Sequence, residues 1–533
     1  MRKRTLGAAA VSGLACVAIT AGMASAGNDL QLSDVPTANP KAAGLTTPNR
    51  LSPELMDVAR AQGSMPLENP RDGVGYYGYD SVDNNPTLMP TTSAGATTPT
   101  EAHKTEPDKN TYLVLKGQRG PDASYDYGEH FLFQGHESGT PGYVSRVNLD
   151  ADAAHRVTLM ATKDSGGKAL PNFDGSTWDP FARKLLFTSE DGCDGGVWQG
   201  DATYSPDSVL DDISGALGRG GYEGVQTASD GSIWLVEDVG GAKAGDKGKA
   251  KAANSYVYRF VPQHKNDLTN GKLQALQVLR GDGTPMNTKA EPFGDDLKQL
   301  HTYGTSFSTK WVTIHDTATD GDSPFCATTA AAGANATAFK RPENGVFRPG
   351  RDFREFYFTE TGDTNTESPA NQQYGGWGGV FRLSQSSPSA DRGKLAVSFL
   401  GDKEHTGLDN VSFATEDQLM VVEDAGDTLH SQRNALDSGY AYDVDDAKPK
   451  PTRFLAEGRD PSATMDSAMM DAGTPGFTND GDNEITGIHV SDGNPSVRGL
   501  FGRSVPTPFE EGWRVFWTQQ HGDNVTYEIL PNE

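Results

Sequence analysis

Cysteine and long apolar runs are scarce in this sequence, and each scarcity excludes a class of protein. Three of the 533 residues are cysteines. Cys16 lies in the apolar stretch near the start of the chain. Cys193 and Cys326 can therefore form at most one disulfide, which excludes a small disulfide scaffold. Beyond the first 26 residues no segment approaches 18 consecutive apolar residues, so no stable membrane insertion is predicted.

Positive charge is also scarce. The chain has 46 Lys and Arg residues against 72 Asp and Glu residues, and its formal net charge is −26 at pH 7. Such an acidic chain is poorly suited to nucleic acid or to an anionic membrane, so neither is predicted as a partner. The same charge favours the binding of cations, whereas a phosphate-bearing substrate would have to be met by cations placed locally.

The first 26 residues have the pattern of a secretory signal peptide. A basic start at residues 2–4 is followed by an apolar stretch from Leu6 to Met23 and by the small residues Ala24, Ser25 and Ala26. This pattern predicts cleavage after about Ala26 and a secreted, extracellular protein. The basic start is not a twin-arginine pair, which leaves the export route open.

Residues 27–110 are interpreted as an extended N-terminal segment of low complexity, and residues 111–533 as one β domain. Within the first segment, Ser52 followed by Pro53 predicts a short helix that runs to about Ala61. Residues 84–110 are rich in Pro, Thr and Ala and are predicted to be extended. In the second, the Lys-rich stretch at 242–254 is predicted to be a flexible insertion that faces water.

One plan recurs at the ends of apolar segments in the β domain. Each copy has three or four apolar residues followed by Glu, Asp, His or Gln with a glycine close by. Short strands that repeat in this way predict an all-β fold, a six-bladed β-propeller with long loop insertions. The copies lie at residues 131–138, 185–192, 233–240, 356–363, 419–426 and 515–523.

Equivalent strand ends of a propeller lie around one rim of its central channel, so these acidic side chains should converge. Their mutual repulsion would be costly unless cations or protons neutralised them, which indicates a metal site. The competing interpretation is that they are solvated turn residues, in which Asp and Gly are common.

The stretch at residues 339–363 has the densest group of candidate catalytic and metal-binding side chains. Lys340, Arg341 and Glu343 surround Pro342, which is predicted to bias Arg341 toward an extended conformation. Earlier in the chain, Glu223 lies between glycines, where the backbone can approach a ligand closely.

Several of these motifs resemble a known family. KRPENG at 340–345, YEGV at 222–225, LDNVSF at 408–413, EITGIHV at 484–490 and QQHGD at 519–523 are similar, in order and spacing, to motifs of the PhoX-type alkaline phosphatases. The resemblance covers about residues 125–525. It implies a secreted six-bladed β-propeller that hydrolyses phosphomonoesters at a cluster of ferric iron and calcium ions in the channel mouth.

The resemblance also implies roles for individual residues. Small phosphoesters would be the substrates, and the metal ions would bind the phosphoryl oxygens and help to activate the nucleophile. The catalytic candidates are Lys340, Arg341, which would face the phosphate, and His521. The metal-ligand candidates are Glu137, Glu190, Glu223, Glu343 and Glu484.

One departure bears on the metal. The family has a bridging cysteine shortly before the tryptophan that is Trp178 here, whereas residues 171–175 read PNFDG. The missing thiolate favours Ca²⁺ or another hard cation over Fe³⁺. Cys193 could replace that thiolate, or it could be a disulfide partner or an inert thiol.

Two other functions stay open. One is a non-catalytic, calcium-binding extracellular propeller, and the other is a calcium-dependent propeller hydrolase such as a lactonase. The paired cations Lys340 and Arg341 favour phosphate over lactone. A monomer is predicted, because a closed propeller has no need of a partner to cover its edges.

Overall fold

The computed structural model describes residues 29–37, 49–80, 103–139, 141–244, 248–458, 484–520 and 524–532. The predicted signal peptide at residues 1–26 and the catalytic candidate His521 therefore lie outside the described residues. Much of the Pro- and Thr-rich segment does as well.

The described chain is mostly β-structure. The first strands are β1 (Arg50–Leu51), β2 (Leu55–Ala61), β3 (Pro66–Arg71), β4 (Val74–Tyr76), β5 (Tyr79–Asp80), β6 (His103–Lys104), β7 (Pro107–Val114), β8 (His130–His136), β9 (Val144–Asn148) and β10 (Val157–Ala161). They are followed by β11 (Ser176–Asp179), β12 (Lys184–Ser189), β13 (Gly196–Gly200), β14 (Asp211–Asp212), β15 (Tyr222–Thr227), β16 (Ile233–Glu237), β17 (Val257–His264), β18 (Asp267–Leu279), β19 (Phe307–Asp316) and β20 (Gly345–Phe347). The last are β21 (Glu355–Glu360), β22 (Gly379–Gln385), β23 (Arg392–Leu400), β24 (Leu408–Phe413), β25 (Gln418–Glu423), β26 (Ser438–Asp443), β27 (Thr452–Ala456), β28 (Glu484–Ser491), β29 (Arg514–Gln520) and β30 (Val525–Pro531).

Helices in the described residues are short and lie in the connections between strands. The α-helices are α1 (Ser214–Leu217), α2 (Asp295–Leu300), α3 (Thr317–Asp320), α4 (Ala327–Gly333) and α5 (Gly426–Arg433). Short 3₁₀ turns lie at Ala153–His155, Gly192–Asp194, Gln372–Tyr374 and Val497–Gly499. No helix among the described residues is both long enough and apolar enough to cross a membrane.

The strands form antiparallel sheets in a propeller-like arrangement. Strands that follow one another in the chain pair in order, as in β7 to β10 and β11 to β14. A nine-stranded sheet contains two such runs, β15 to β18 and β20 to β23, joined through β19. The first strand of each run contacts its counterpart in the next, from β7 through β11, β15, β20, β24 and β28 back to β7. These strands therefore surround a common centre.

Apolar side chains pack between neighbouring sheets and hold this ring together. Phe131 and Phe133 from β8 and Phe187 from β12 belong to one fully buried cluster, which also includes Trp198. Alternation along the strands sends these side chains between the sheets, and burying one large aromatic contributes roughly 2 kcal/mol or more. Polar side chains of the first strand of each run, the innermost strand, lie at the centre of the ring.

The predicted helix at residues 52–61 is wrong. Leu55–Ala61 is strand β2, which pairs antiparallel with β30 and so joins the sheet of β28, β29 and β30. Ser52 does not cap a helix, since its hydroxyl donates to the carbonyl of Ser33 at 2.6 Å. Pairing with a distant strand overrides a local helix signal that was worth only a few tenths of a kcal/mol per residue.

A disulfide joins Cys193 to Cys326. It links the turn after β12 to the start of α4, across a sequence separation of 133 residues. The sulfur of Cys193 is bonded to Cys326, so this cysteine is not a free thiolate that could replace the missing metal ligand.

We expect the Cys193→Ser/Cys326→Ser double variant to lose about 4 kcal/mol of unfolding free energy, because removing the cross-link restores chain entropy to the unfolded state. Denaturant unfolding of the double variant and of the native protein, each with and without reductant, measures this loss. The reductant should destabilise only the native protein. Equal midpoints in all four samples would contradict the expectation.

Candidate metal centre

Carboxylates from different sheets meet at the centre of the ring. Three groups of three have oxygen atoms within 4.8 Å of one another: Asp108, Glu137 and Asp174; Asp174, Glu190 and Glu223; and Glu223, Glu343 and Asp409. Asp174 and Glu223 each belong to two groups, so the groups form one continuous set, here called the acid cluster.

The elements that supply the acid cluster fall into two kinds. Glu137 and Glu190 directly follow β8 and β12, the second strands of their runs. The other members lie in or just before the first strands: Asp108 in β7, Asp174 before β11, Glu223 in β15, Glu343 before β20 and Asp409 in β24.

Irregular pairing helps to aim these side chains inward. The register of β7, β15 and β24 against its neighbour shifts around Asp108, Glu223 and Asp409 respectively. A β-bulge bends a strand and redirects the side chains next to it, and bulges are common beside active sites. The acid cluster is therefore built into equivalent irregularities of separate strands.

Glycines allow the backbone segments to approach closely here. A Cβ on Gly175 would lie 2.1 Å from the carbonyl oxygen of Glu223, and one on Gly224 would lie 2.8 Å from the Cα of Asn344. The amide of Gly224 donates to the carbonyl of Glu343 at 2.8 Å. These contacts bring the carboxylates at 174, 223 and 343 within reach of one another.

Burial and like charge act on the acid cluster together. Glu223 is 8% exposed and Glu343 is 3% exposed. Loss of solvation, followed by repulsion from neighbouring carboxylates, raises the pKa of Asp108, Asp174, Glu190, Glu223 and Asp409 well above the ordinary range. The same causes, with Asp238 as the main neighbour, raise the pKa of Glu343 to about 8. The cluster therefore favours protons or bound cations.

A buried lysine faces the acid cluster. The ammonium of Lys109 donates to Oδ1 of Asn344 at 2.7 Å, and the residue is 3% exposed. Burial lowers the pKa of Lys109 to about 8, although the nearby carboxylates of Asp409 and Asp108 oppose this shift. Lys109 thus supplies one cation from within the protein to a site with many more anionic groups.

The oxygen atoms of the acid cluster fit a metal centre. In the part of the chain that the structure describes, Oδ1 of the cluster members Asp174 and Asp409 is buried and accepts no hydrogen bond, and the same holds for Oδ1 of the adjacent Asp238. Buried carboxylate oxygens without a donor are costly unless a cation coordinates them. Carboxylate oxygens suit hard cations such as Ca²⁺.

Arg341 lies at the edge of the acid cluster. Its Nε donates to Asp238 at 2.6 Å, its Nη2 is 3.5 Å from Glu343, and its side chain is 25% exposed. Although burial opposes the charged form, Asp238, Glu343 and Glu190 raise the pKa of Arg341 well above its ordinary value. It therefore presents a permanent positive charge beside the candidate metal ligands.

The predicted extended backbone at Arg341 is wrong. Its φ is +60°, in the left-handed region that non-glycine residues seldom adopt. The turn is held by the two residues that directly follow β21. The amide of Thr361 donates to the carbonyl of Arg341 at 2.9 Å, and the amide of Gly362 donates to the carbonyl of Lys340 at 3.1 Å. These bonds outweigh the preference that Pro342 imposes on the preceding residue.

Lys340 points elsewhere. Its ammonium is 3.0 Å from Asp363 in a buried ion pair. Its amide donates to Glu360 at 2.6 Å, and the same carboxylate is 2.6 Å from Nε2 of His301. This buried network fixes the position of the turn that carries Arg341 and Glu343. A direct catalytic role for Lys340 stays a prediction.

Of the remaining metal-ligand candidates, Glu484 belongs to none of the three carboxylate groups. Glu484 is half-buried at the start of β28, close enough to Asp424 to contribute, after burial, to raising the pKa of that residue. The acidic residues that sequence reasoning missed as ligand candidates are Asp108, Asp174 and Asp409. Asp409 stood within the quoted LDNVSF motif and Asp174 in the PNFDG segment, so a signal existed for both.

Comparisons with known proteins give a family and similar folds. A family model described as alkaline phosphatase PhoX matches residues 223–497. A solved structure of Pseudomonas fluorescens PhoX in complex with vanadate, a transition state analogue, is similar with a TM-score of 0.57 and 11% identity. That likeness covers 94% of this chain and 98% of the other. A gluconolactonase from Xanthomonas campestris gives a TM-score of 0.37 and 10% identity over 93% of this chain and 99% of the other.

No curated protein sequence matches the chain. The P. fluorescens likeness supports a propeller-like fold, and the family model spans half of the chain. The protein belongs to the PhoX alkaline phosphatase family.

Proposed function

We propose that this protein is a secreted, monomeric, metal-dependent phosphatase that hydrolyses small phosphomonoesters at the acid cluster. The observation that carries the proposal is the position of Arg341, held by Asp238 at the edge of overlapping carboxylate groups. A guanidinium next to bound cations is an arrangement suited to phosphoryl transfer. Family membership and the vanadate bound by the P. fluorescens protein support the same reaction class.

We further propose that the fold is a six-bladed propeller. Four-stranded runs begin at β7, β11, β15, β20 and β24, and β28 to β30 form another with β2. In the last run β2 comes from the N-terminal part of the chain and β28 to β30 from the C-terminal part, so their pairing would close the ring. A closed propeller leaves only short, protected sheet edges, so it needs no second subunit to cover them, which supports a monomer.

The carboxylates at 108, 137, 174, 190, 223, 343 and 409 would hold the metal ions. Ca²⁺ is the proposed cofactor because the donors are oxygens, and Fe³⁺ stays an alternative drawn from the family resemblance. When bound, the ions would polarise the phosphoryl oxygens and supply an activated oxygen nucleophile. The half-buried Glu484 would support the neighbouring edge of the site through Asp424.

The protein's own groups would orient the phosphate. A guanidinium has five N–H donors, so Arg341 keeps donors for the equatorial phosphoryl oxygens while its Nε is held by Asp238. The short contact from the Thr361 hydroxyl to Glu343 fixes that carboxylate. Lys340 would act as a positioning residue through Asp363. His521 is proposed to contact substrate, on the family resemblance alone.

Elemental analysis of the purified mature protein, together with hydrolysis of p-nitrophenyl phosphate before and after chelation, tests the proposal. We expect bound calcium and a rate that falls at least a hundredfold on chelation and returns with Ca²⁺. Iron with calcium would identify the alternative cofactor. Bound calcium without hydrolysis of any of several phosphoesters would overturn the proposal in favour of a binding propeller.

A further inference from the structure

The Lys-rich insertion between β16 and β17 is packed against the protein in its described part. Ala250 and Ala253 are fully buried. The amide of Ala244 donates to Ala250 at 2.8 Å, and Lys243 forms an isolated antiparallel bridge with Lys251. The sequence-based prediction that the whole stretch faces water is therefore wrong, because one side of it covers the fold.

The packing places Lys251 beside the turn that carries Arg341. The amide of Lys251 donates to Oδ1 of Asp363 at 3.0 Å. The same oxygen accepts from the ammonium of Lys340, also at 3.0 Å. Asp363 thus ties the insertion and the turn of residues 340–343 to one buried carboxylate. The insertion has a defined position at the edge of the site.

Charged groups of both signs lie close enough to act on the side chain of Lys251. It is partly buried, and the charged groups around it are Arg341, Asp238, Asp363 and Glu343. Burial, followed by repulsion from Arg341, lowers the pKa of Lys251. Asp238 is engaged with Arg341 and Asp363 with Lys340, and no carboxylate in the described part of the chain forms an ion pair with Lys251.

Lys251, which has no ion pair with any described residue, and the nearby Arg341 form a setting that an anion would stabilise. Each cation repels the other, and partial burial removes some of the water that would otherwise solvate Lys251. An oxyanion between them would relieve both costs. Arg341 suits directional hydrogen bonds to phosphoryl oxygens, whereas a lysine acts as an adaptable point charge.

We propose that Lys251 is a second substrate-binding cation at the mouth of the acid cluster, and that it favours phosphoesters carrying further negative charge beside the reacting phosphate. This inference rests on the proposed function and adds a specificity element to it. The net charge of −26 repels such substrates at long range. A local cation on the insertion offsets that repulsion where the substrate enters.

The test compares Lys251→Met with Lys249→Met, a matched control in the same insertion. Lys249 is exposed and contacts Glu367 instead of Arg341. For Lys251→Met we expect KM to rise about tenfold for p-nitrophenyl phosphate, and more for a sugar bisphosphate, with kcat within twofold of the native value. Lys251→Arg should recover most of the loss, and Lys249→Met should behave like the native protein.

Calorimetric titration with vanadate separates this inference from the proposed function. If the native protein hydrolyses no phosphoester, the proposed function fails, yet vanadate should still bind about tenfold more weakly to Lys251→Met than to the native protein. Equal KM values and equal vanadate affinities for Lys251→Met and Lys249→Met would overturn the role of Lys251. So would a native protein that binds no vanadate.

Discussion

Replacing Glu223 with glutamine should lower phosphatase activity by about three orders of magnitude and release part of the bound metal. Glu223 belongs to two of the three carboxylate groups, so its loss weakens both at once. Metal ions contribute several kcal/mol to stabilising a phosphoryl transition state, and about 4 kcal/mol corresponds to a factor of about a thousand in rate. Elemental analysis and kcat/KM for p-nitrophenyl phosphate measure both effects on one preparation.

Asp179→Asn is the matched control for this experiment. Asp179 is a buried carboxylate like Glu223, but it lies at the opposite end of β11 from Asp174 and accepts a hydrogen bond from the amide of Phe181 at 2.8 Å. The Asp179→Asn variant should keep the native metal content and activity, even if its unfolding free energy is lower. If Glu223→Gln retained both metal and rate, the acid cluster would not be the active centre.

The residues of the acid cluster that follow strand ends could be predicted from the sequence. Glu137 and Glu190 follow apolar runs that repeat along the chain, and such runs predict strands whose equivalent ends share one rim. The structure places both in the acid cluster, together with Glu223 and Glu343. Convergence followed from the repeat because equivalent strands occupy equivalent positions.

The members on the innermost strands were harder to predict. Asp108 and Asp409 lie within register shifts, where the side chain direction depends on how a strand pairs with its neighbour. Strand alternation alone does not give that direction. The burial of Lys109 was also not predicted, because a lysine near the end of a polar, Pro-rich segment has the sequence pattern of a solvated residue.

Local rules also failed where distant contacts decide the backbone. Residues 55–61 carry a helix signal, yet β30 lies beside them and supplies a ladder of hydrogen bonds. Arg341 precedes a proline, yet hydrogen bonds from Thr361 and Gly362, which directly follow β21, hold its φ at +60°. Such strain in a segment next to an active site is typical of positions that are fixed by their surroundings.

Metal-free protein should become less stable as the pH rises from 5 to 8. The pKa of Glu343 is raised from 4.5 to about 8, first by burial and then by Asp238. A carboxyl group whose pKa is higher in the folded state stabilises that state fully below its unfolded pKa, and the contribution is lost as pH rises through the folded pKa. Other cluster members shift in the same direction.

Thermal unfolding of chelated and calcium-loaded protein at pH 5, 6, 7 and 8 measures this effect. One pKa unit corresponds to about 1.4 kcal/mol, so the shift of Glu343 alone is worth roughly 3.5 kcal/mol between pH 5 and 8. For a chain of this size, Tm of the chelated protein should therefore fall by about 3 to 4 °C, and by more where other cluster members contribute. Calcium should remove most of the fall, because deprotonated carboxylates bind it more tightly and ligand binding stabilises the folded state. Glu343→Gln should flatten the curve of the chelated protein. A Tm of chelated protein that is constant or rises with pH would mean that these carboxylates are already neutralised by groups of the protein itself, and a cation would then have no structural role in the centre.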